Sequence, residues 1–270
     1  MNVKWVFFLL LFASPQLFAN GQIGKKLYSK YKKAVVKISI FEQGLPLVQG
    51  AGFFVGNNGY IATNYHVIKP AFREGYSIVI ETHDKKQLHE FKVGTCSDDR
   101  SIDLCFIKVD FKPEVSFIPS DVFPEKGESI YVIGHPMGLD YTFSNGLVSN
   151  FQKAKEKDDI DGIQISAPIS PGNSGGPIFN EEGTLYGMVT SINGSRLAQN
   201  LNFGIAVSEI FQLAKQPSKL VSLKNYQKQL NEKMVSAINK ISKDFYEEAI
   251  KNIKLAKSKK RPFKIRAAPV

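Results

Sequence analysis

The chain has 270 residues, 43% of them hydrophobic and 22% charged. That length and balance suit one large globular domain or two small ones and exclude an intrinsically disordered chain. No apolar run reaches the roughly 18 residues needed to span a bilayer as a helix. The net charge of +10 is unevenly placed: Leu213–Val270 holds 15 of the 35 basic and 4 of the 25 acidic residues, leaving 20 and 21 for the rest. The body is therefore almost neutral, and the excess positive charge belongs to the C-terminal segment.

The opening MNVKWVFFLLLFASPQLFAN has a basic residue (Lys4), an apolar run from Trp5 to Ala13, a break at Ser14-Pro15 and the small residue Ala19. That layout predicts a secretory signal peptide over residues 1–19 and an exported chain, periplasmic or secreted, starting near Asn20. An uncleaved N-terminal anchor is the alternative. IGKKLYSKYKKAVVKISIF reads as a short amphipathic helix entering a strand over Ala34–Phe41.

Short apolar segments then follow at close intervals: GAGFFV, YIATNYHVI, YSIVIET, FKVGTC, DLCFIKV, SIYVIG, GLVSNF, IQISAPI, GPIFN, TLYGMVTSI and NFGIAV. GNNG between the first two marks a hairpin. Short strands without alternating helices predict an all-β barrel or sandwich. SEIFQLAKQ reads as a closing helix that stops at Pro217. From Lys219 to about Lys257 apolar residues recur every three or four positions (Leu223, Tyr226, Leu230, Met234, Ile238, Ile241, Phe245, Ala249, Ile253, Ala256). Such spacing predicts one long amphipathic helix, with the basic tail KSKKRPFKIRAAPV after it. The expected division is residues 20–216 for the body and 217–270 for the helix and tail.

Cys96 and Cys105 flank a predicted turn, CSDDRSIDLC. Export permits a disulfide between them; two buried free thiols are the other reading. Neither has the partners of a zinc site.

The stretch SPGNSGGPIFN surrounds Ser174 with small residues, as an accessible nucleophile requires. A serine hydroxyl needs a base, and a histidine base needs an acid to fix its tautomer. The four histidines, His66, His83, His89 and His135, all precede Ser174. Gly172, Ser174 and Gly176 match the G-x-S-x-G elbow of α/β-hydrolases, but those enzymes place histidine after serine. The order Asp, His, Ser fails too, because no aspartate precedes His66. What remains for His66 is the order His, Asp, Ser. His66 lies at the end of a predicted hairpin strand, whereas His83 and His89 lie in a charge-rich segment and His135 in a turn. Asp103 opens the strand DLCFIKV and is the candidate acid; Asp98 and Asp99 lie in the turn before it and Asp110 at its far end. The backbone N–H groups of Gly172 and Ser174 are placed to receive an oxyanion.

These residues resemble the trypsin-like serine proteases, and within them the bacterial HtrA/Deg type. The resemblance rests on GAGFFVGNNGYIATNYHVI, DLCFIKV, IGHPMGL, GLVS, ISPGNSGGPIFN and LNFGIAV, and spans roughly Ala34 to Lys215. It implies two six-stranded antiparallel β-barrels with the site between them, followed here by the basic helix. It implies the triad His66, Asp103 and Ser174, an oxyanion hole from Gly172, Ser174 and Asn173, and no metal or cofactor. Substrate would pair as an added strand along Thr190-Ser191-Ile192. The specificity pocket would involve Ile169 and the loop Asn193–Asn202, and, with nothing acidic over Ala167–Ser170, would take small or medium apolar residues.

Three departures stand out. There is no Ile-Val-Gly-Gly-like start, so activation by loop rearrangement is expected. A basic helix stands where the family usually carries a PDZ domain. Pro171 precedes Gly172 and is placed to hold that loop in one state. Protein or peptide substrates are the expected partners. The helix suits packing on the body, self-association or an anionic membrane surface. Nucleic acid is disfavoured, because Phe263 is the one aromatic in Lys257–Arg266 and no nucleic-acid motif is present. The rival reading is a catalytically silent protease-fold scaffold tethered through this helix.

Overall fold

The computed structural model describes residues 16–73, 75–97, 102–119, 121–136, 139–153, 160–190, 202–215 and 220–258. The chain divides into two compact units, Met1–Leu223 and Lys224–Val270.

The first unit opens with helix α1 (Gln16–Tyr31) and a 3-10 turn (Lys32–Ala34). Strands β1 (Val35–Glu42), β2 (Leu45–Val55) and β3 (Tyr60–Thr63) form a meander; its second turn is Gly56–Gly59, the GNNG hairpin. The one-turn helix α2 (Tyr65–Ile68) follows β3 directly. Next come β4 (Tyr76–Glu81), β5 (Gln87–Leu88), β6 (Phe91–Cys96) and β7 (Cys105–Val109). The second half of the unit holds β8 (Ser129–Gly134), β9 (Thr142–Lys153), β10 (Ile160–Ile165), β11 (Pro177–Phe179), β12 (Leu185–Thr190) and β13 (Asn202–Ala206), then helix α3 (Val207–Lys215) and β14 (Val221–Ser222).

The strands make two sheets, of which one is a barrel. The order β10-β13-β12-β11-β8-β9 closes on itself. The first sheet, ordered β14-β6-β7-β3-β2-β1-β4-β5, stays open, which corrects the expectation of two six-stranded barrels. Closure would need a ladder between β5 and β6. β5 is only two residues long, in the charged stretch ETHDKKQLHEF whose apolar alternation is broken. The free edge of β6 is instead taken by β14, through Val221 opposite Val93 and Ser222 opposite Lys92.

Branched aliphatic residues fill the barrel: Ile130, Val132, Val148, Ile163, Ile165, Ile178 and Val189 are all buried. A second, aromatic core lies between the sheets. Tyr31 of α1 has its ring 5.0 Å from Phe117 and 5.0 Å from Phe179, and Phe117 lies edge-on to Phe53 at 5.5 Å. Each such buried ring contributes about 2–3 kcal/mol through area removed from water. Helix α1 is thereby anchored to both sheets through Tyr31 and Leu27.

Cys96 and Cys105 sit opposite each other on β6 and β7 and are joined as a disulfide. In the second unit helix α4 (Leu223–Ser258) runs for 36 residues, about 54 Å at 1.5 Å per residue. No helix among the described residues is long and apolar enough to cross a membrane.

Candidate active site

Three short elements of the first sheet hold His66 and Asp103 together. Asn64 has an extended backbone and starts α2, so the chain turns sharply after β3 and carries His66 off the strand end. Asp103, just before β7, is bound at both of its ends. Its carbonyl accepts from Asn64 Nδ2 at 2.8 Å and from the Tyr65 N–H at 3.3 Å. Its Oδ1 accepts from the His66 backbone N–H at 2.8 Å, and its Oδ2 is hydrogen-bonded to His66 Nδ1. Thr190 Oγ1 at the end of β12 donates to the same Oδ2 at 3.2 Å. With the carboxylate on Nδ1, the proton belongs there and Nε2 is left as the acceptor. The His66 side chain is 42% exposed and that of Asp103 32%, so the ring faces outward from a carboxylate fixed behind it.

Ser174 lies on a turn between β10 and β11 that is pressed onto both sheets. The Asn173 N–H donates to Ser170 O at 3.0 Å, and Gly172, at φ 103°, occupies the third position of that turn. Pro171 at the second position and a positive-φ glycine at the third are what a type II turn requires. A Cβ on Gly172 would collide with the His135 carbonyl oxygen, and one on Gly175 (φ 86°) with that of Ala51. The turn is stitched to its surroundings by Ala51 N–H to Ser174 O (2.8 Å), Gly175 N–H to Val189 O (2.9 Å) and His135 N–H to Gly172 O (3.2 Å). The small residues around Ser174 are thus a condition of packing as well as of access.

Of the expected oxyanion donors, the Asn173 N–H is committed to Ser170 O, whereas those of Gly172 and Ser174 donate to no protein acceptor among the described residues. Ser174 is 5% exposed, and no hydrogen bond joins its Oγ to His66 among the described residues. Ile169 is half-buried and packs on the barrel interior. Thr190, expected as part of a substrate-pairing strand, also supports Asp103. Ser191, Ile192 and most of the loop Asn193–Asn202 lie outside the described residues. Asn202 itself is described, and its Nδ2 donates to Ala167 O at 2.7 Å.

Two supports were not singled out in the sequence. Asn64 fixes the Asp103 backbone; it sits two residues before His66 in the same ATNYHV segment, which is the signal that points to it. His135, read only as a turn residue, ends β8 against the Ser174 turn. Its ring is fully buried, lies edge-on to Tyr141 at 4.5 Å and has no hydrogen-bond partner for either nitrogen among the described residues. Burial, and next the charge of Lys37, push its pKa down to about 4, so it is neutral at physiological pH. Nearby, Lys85 and Lys37 hold the Asp140 carboxylate down to about 2. A separate apolar cavity of about 320 Å³, lined by residues including Val55, Tyr60, Phe106, Ile118 and Leu213, contains none of the site residues.

The fold and the sequence fall within one class. The model of the trypsin-like peptidase domain matches residues 50–188, just over half of the chain, and the chain belongs to that family. Among curated proteins it is 33% identical over 174 residues to a probable periplasmic serine endoprotease, DegP-like, of Pseudomonas putida, covering 63% of this chain and 35% of that one. It is 31% identical over 175 residues to the chloroplastic protease Do-like 1 of Arabidopsis thaliana, covering 62% and 38%. The chain thus spans little more than a third of the length of these relatives. A solved serine endoprotease from Yersinia pestis shares the fold, with a TM-score of 0.57 and 22% identity over 71% of this chain and 65% of that one.

Proposed function

We propose that this chain is an exported serine endopeptidase that works through His66, Asp103 and Ser174. The observation that carries the reading is the double hold of Asp103 on the backbone N–H and Nδ1 of His66, in a chain of the trypsin-like family. His66 Nε2 takes the proton from Ser174 Oγ as the hydroxyl attacks the scissile carbonyl, then returns it to the leaving amine. Asp103 keeps the ring in the productive tautomer and stabilises the imidazolium. The uncommitted N–H groups of Gly172 and Ser174 receive the oxyanion, each donor lowering the barrier by about 3 kcal/mol. Water then cleaves the acyl-enzyme by the same proton route.

Extended polypeptide is the substrate class, paired along Thr190-Ser191-Ile192, with cleavage after small or medium apolar residues because nothing acidic lies over Ala167–Ser170. Export is supported by the leader-like residues 1–19, by the disulfide, which persists in oxidising compartments, and by the periplasmic location in the name of the Pseudomonas relative. The protease part is assigned to residues 20–216 and the helix and tail to 217–270.

A fluorophosphonate probe tests the reading on wild type and Ser174→Ala. Labelling confined to Ser174 of the wild type, with turnover falling by about 10⁴–10⁶ in the folded variant, is the expected result. A folded wild type that neither reacts with the probe nor cuts a peptide library would favour the silent scaffold instead.

A further inference from the structure

The peptidase reading leaves helix α4 unused. Apolar residues of its middle are presented to solvent: Met234, Ile238 and Ile241, and beside them Val235 and Ile250, are each more than half exposed, whereas Leu223, Tyr226 and Leu230 near its start are half-buried. From Leu223 to Ala256 the apolar positions advance by 3, 4, 4, 4, 3, 4, 4, 4 and 3 residues, which is 33 residues in nine steps, a mean of about 3.67. A heptad seam would advance by 3.5 and wind two helices into a left-handed coil. A step of about 3.67 is also the 11-residue spacing of a right-handed coil. Against the 3.6 of a straight helix the stripe drifts by only about 60° over 33 residues, so it equally suits a flat surface, and charge decides between the two.

The charge indicates what that surface is. Leu223–Ser258 contains eight lysines and four acidic residues, and residues 259–270 add five basic residues and no acid. The two ion pairs seen among the described residues of the helix do little to neutralise it. Lys228–Glu232 and Lys243–Glu247 are 3.9 Å apart and exposed, and both have lysine on the N-terminal side, the weaker order. Two such helices side by side would repel each other, whereas an anionic surface gains from each cation near it.

We propose that α4 is an in-plane membrane anchor that lays its apolar stripe into the headgroup region of an anionic lipid bilayer, with its lysines and the basic tail on the phosphates. Length does not preclude this, since interfacial helices of 20–30 residues are common. The proposal is independent of the peptidase reading, and its failure would leave that reading untouched.

The test uses the protein purified after export, carrying Ser174→Ala to prevent self-digestion. It is co-sedimented with phosphatidylcholine vesicles with and without phosphatidylglycerol. Binding to the anionic vesicles should be tighter by about tenfold or more at low salt, and the difference should shrink at high salt. Adding Ile238→Asp with Ile241→Asp should weaken that binding by about tenfold or more at unchanged helix content by circular dichroism. If that pair disturbs the helix, Lys240→Glu with Lys251→Glu serves as the second variant and should remove the lipid preference. Equal binding to both vesicles, or binding that neither variant changes, overturns the proposal; the latter would assign attachment to the N-terminal segment. Concentration-dependent self-association without lipid, abolished by the isoleucine changes, would assign the stripe to a second copy and overturn it as well.

Discussion

The open first sheet and the closed barrel hold their parts of the site by different means. The first sheet has two free edges and places His66 and Asp103 through side-chain hydrogen bonds: Asn64 to the Asp103 carbonyl, and Thr190, reaching across from the barrel, to its carboxylate. The barrel has no edges and places Ser174 through backbone contact, with Gly172 and Gly175 so close to neighbouring carbonyls that no Cβ fits. In the proposed mechanism, directional bonds fix the orientation of a ring that exchanges protons, and steric contact fixes a turn whose N–H groups must not move. Substitutions in the two regions should therefore fail differently.

Beyond Ser174 itself, the largest effect is expected at the first sheet. Asp103→Asn removes the acceptor that sets the His66 tautomer, and kcat should fall by about 10⁴ with little change in KM or in the folded spectrum. On the barrel side, Gly172→Ala puts a methyl where the His135 carbonyl lies and a side chain at a φ that disfavours one. kcat should fall by about 10²–10³ through loss of one oxyanion donor, with a lowered melting temperature, which separates it from Asp103→Asn.

His135 sharpens the comparison through pH. It is neutral and buried in the fold, facing Tyr141, Lys37, Asp140 and Lys85, and its pKa is lowered from 6.5 to about 4. The unfolded chain therefore binds a proton that the folded chain refuses. The stabilisation is complete above about pH 6.5 and is lost progressively as pH falls towards 4, by roughly 3 kcal/mol. Urea denaturation across that window should show the loss in wild type and a flatter curve in His135→Asn. Asp140 acts in the same direction at lower pH, where Lys85 and Lys37 keep it ionised; both proteins retain it, so the difference between them belongs to His135. The smallest effect is expected at the disulfide. Cys96 and Cys105 are nine residues apart in sequence, a short loop worth about 2–3 kcal/mol. Changing both to alanine should lower stability by that amount or less while kcat/KM is nearly retained, since Asp103 keeps its bonds to Asn64 and His66.

Much of this arrangement was readable from residue order and local pattern. The positions of the four histidines relative to Ser174 left one chain order for a triad built on His66, and GNNG, flanked by apolar runs, placed the β2–β3 hairpin. What was not readable depends on distant pairing. β14 is two residues long, Val221 and Ser222, too short for any periodic signal, yet it completes the edge of β6. The failure of the first sheet to close follows from the same brevity in β5. Asn173 was expected to offer its N–H to the oxyanion, but that group is consumed by the turn that Pro171 and Gly172 form. Thr190 was read for its place beside substrate; its hydroxyl bond to a residue 87 positions away has no local signature.

The aromatic stack around Tyr31 has a consequence for the timing of assembly. Tyr31 donates its hydroxyl proton to Glu182 O, 151 residues further along the chain, and packs on Phe179. The Ser174 turn closes equally late, on Ala51. Contacts of such long range form only after the intervening chain is available. A polypeptide emerging N-terminus first cannot complete this core, or bring Ser174 to its place beside β2, until nearly all of the first unit has been delivered. The topology itself thus postpones the meeting of Ser174 with His66 and Asp103 until about two thirds of the 270 residues have been made.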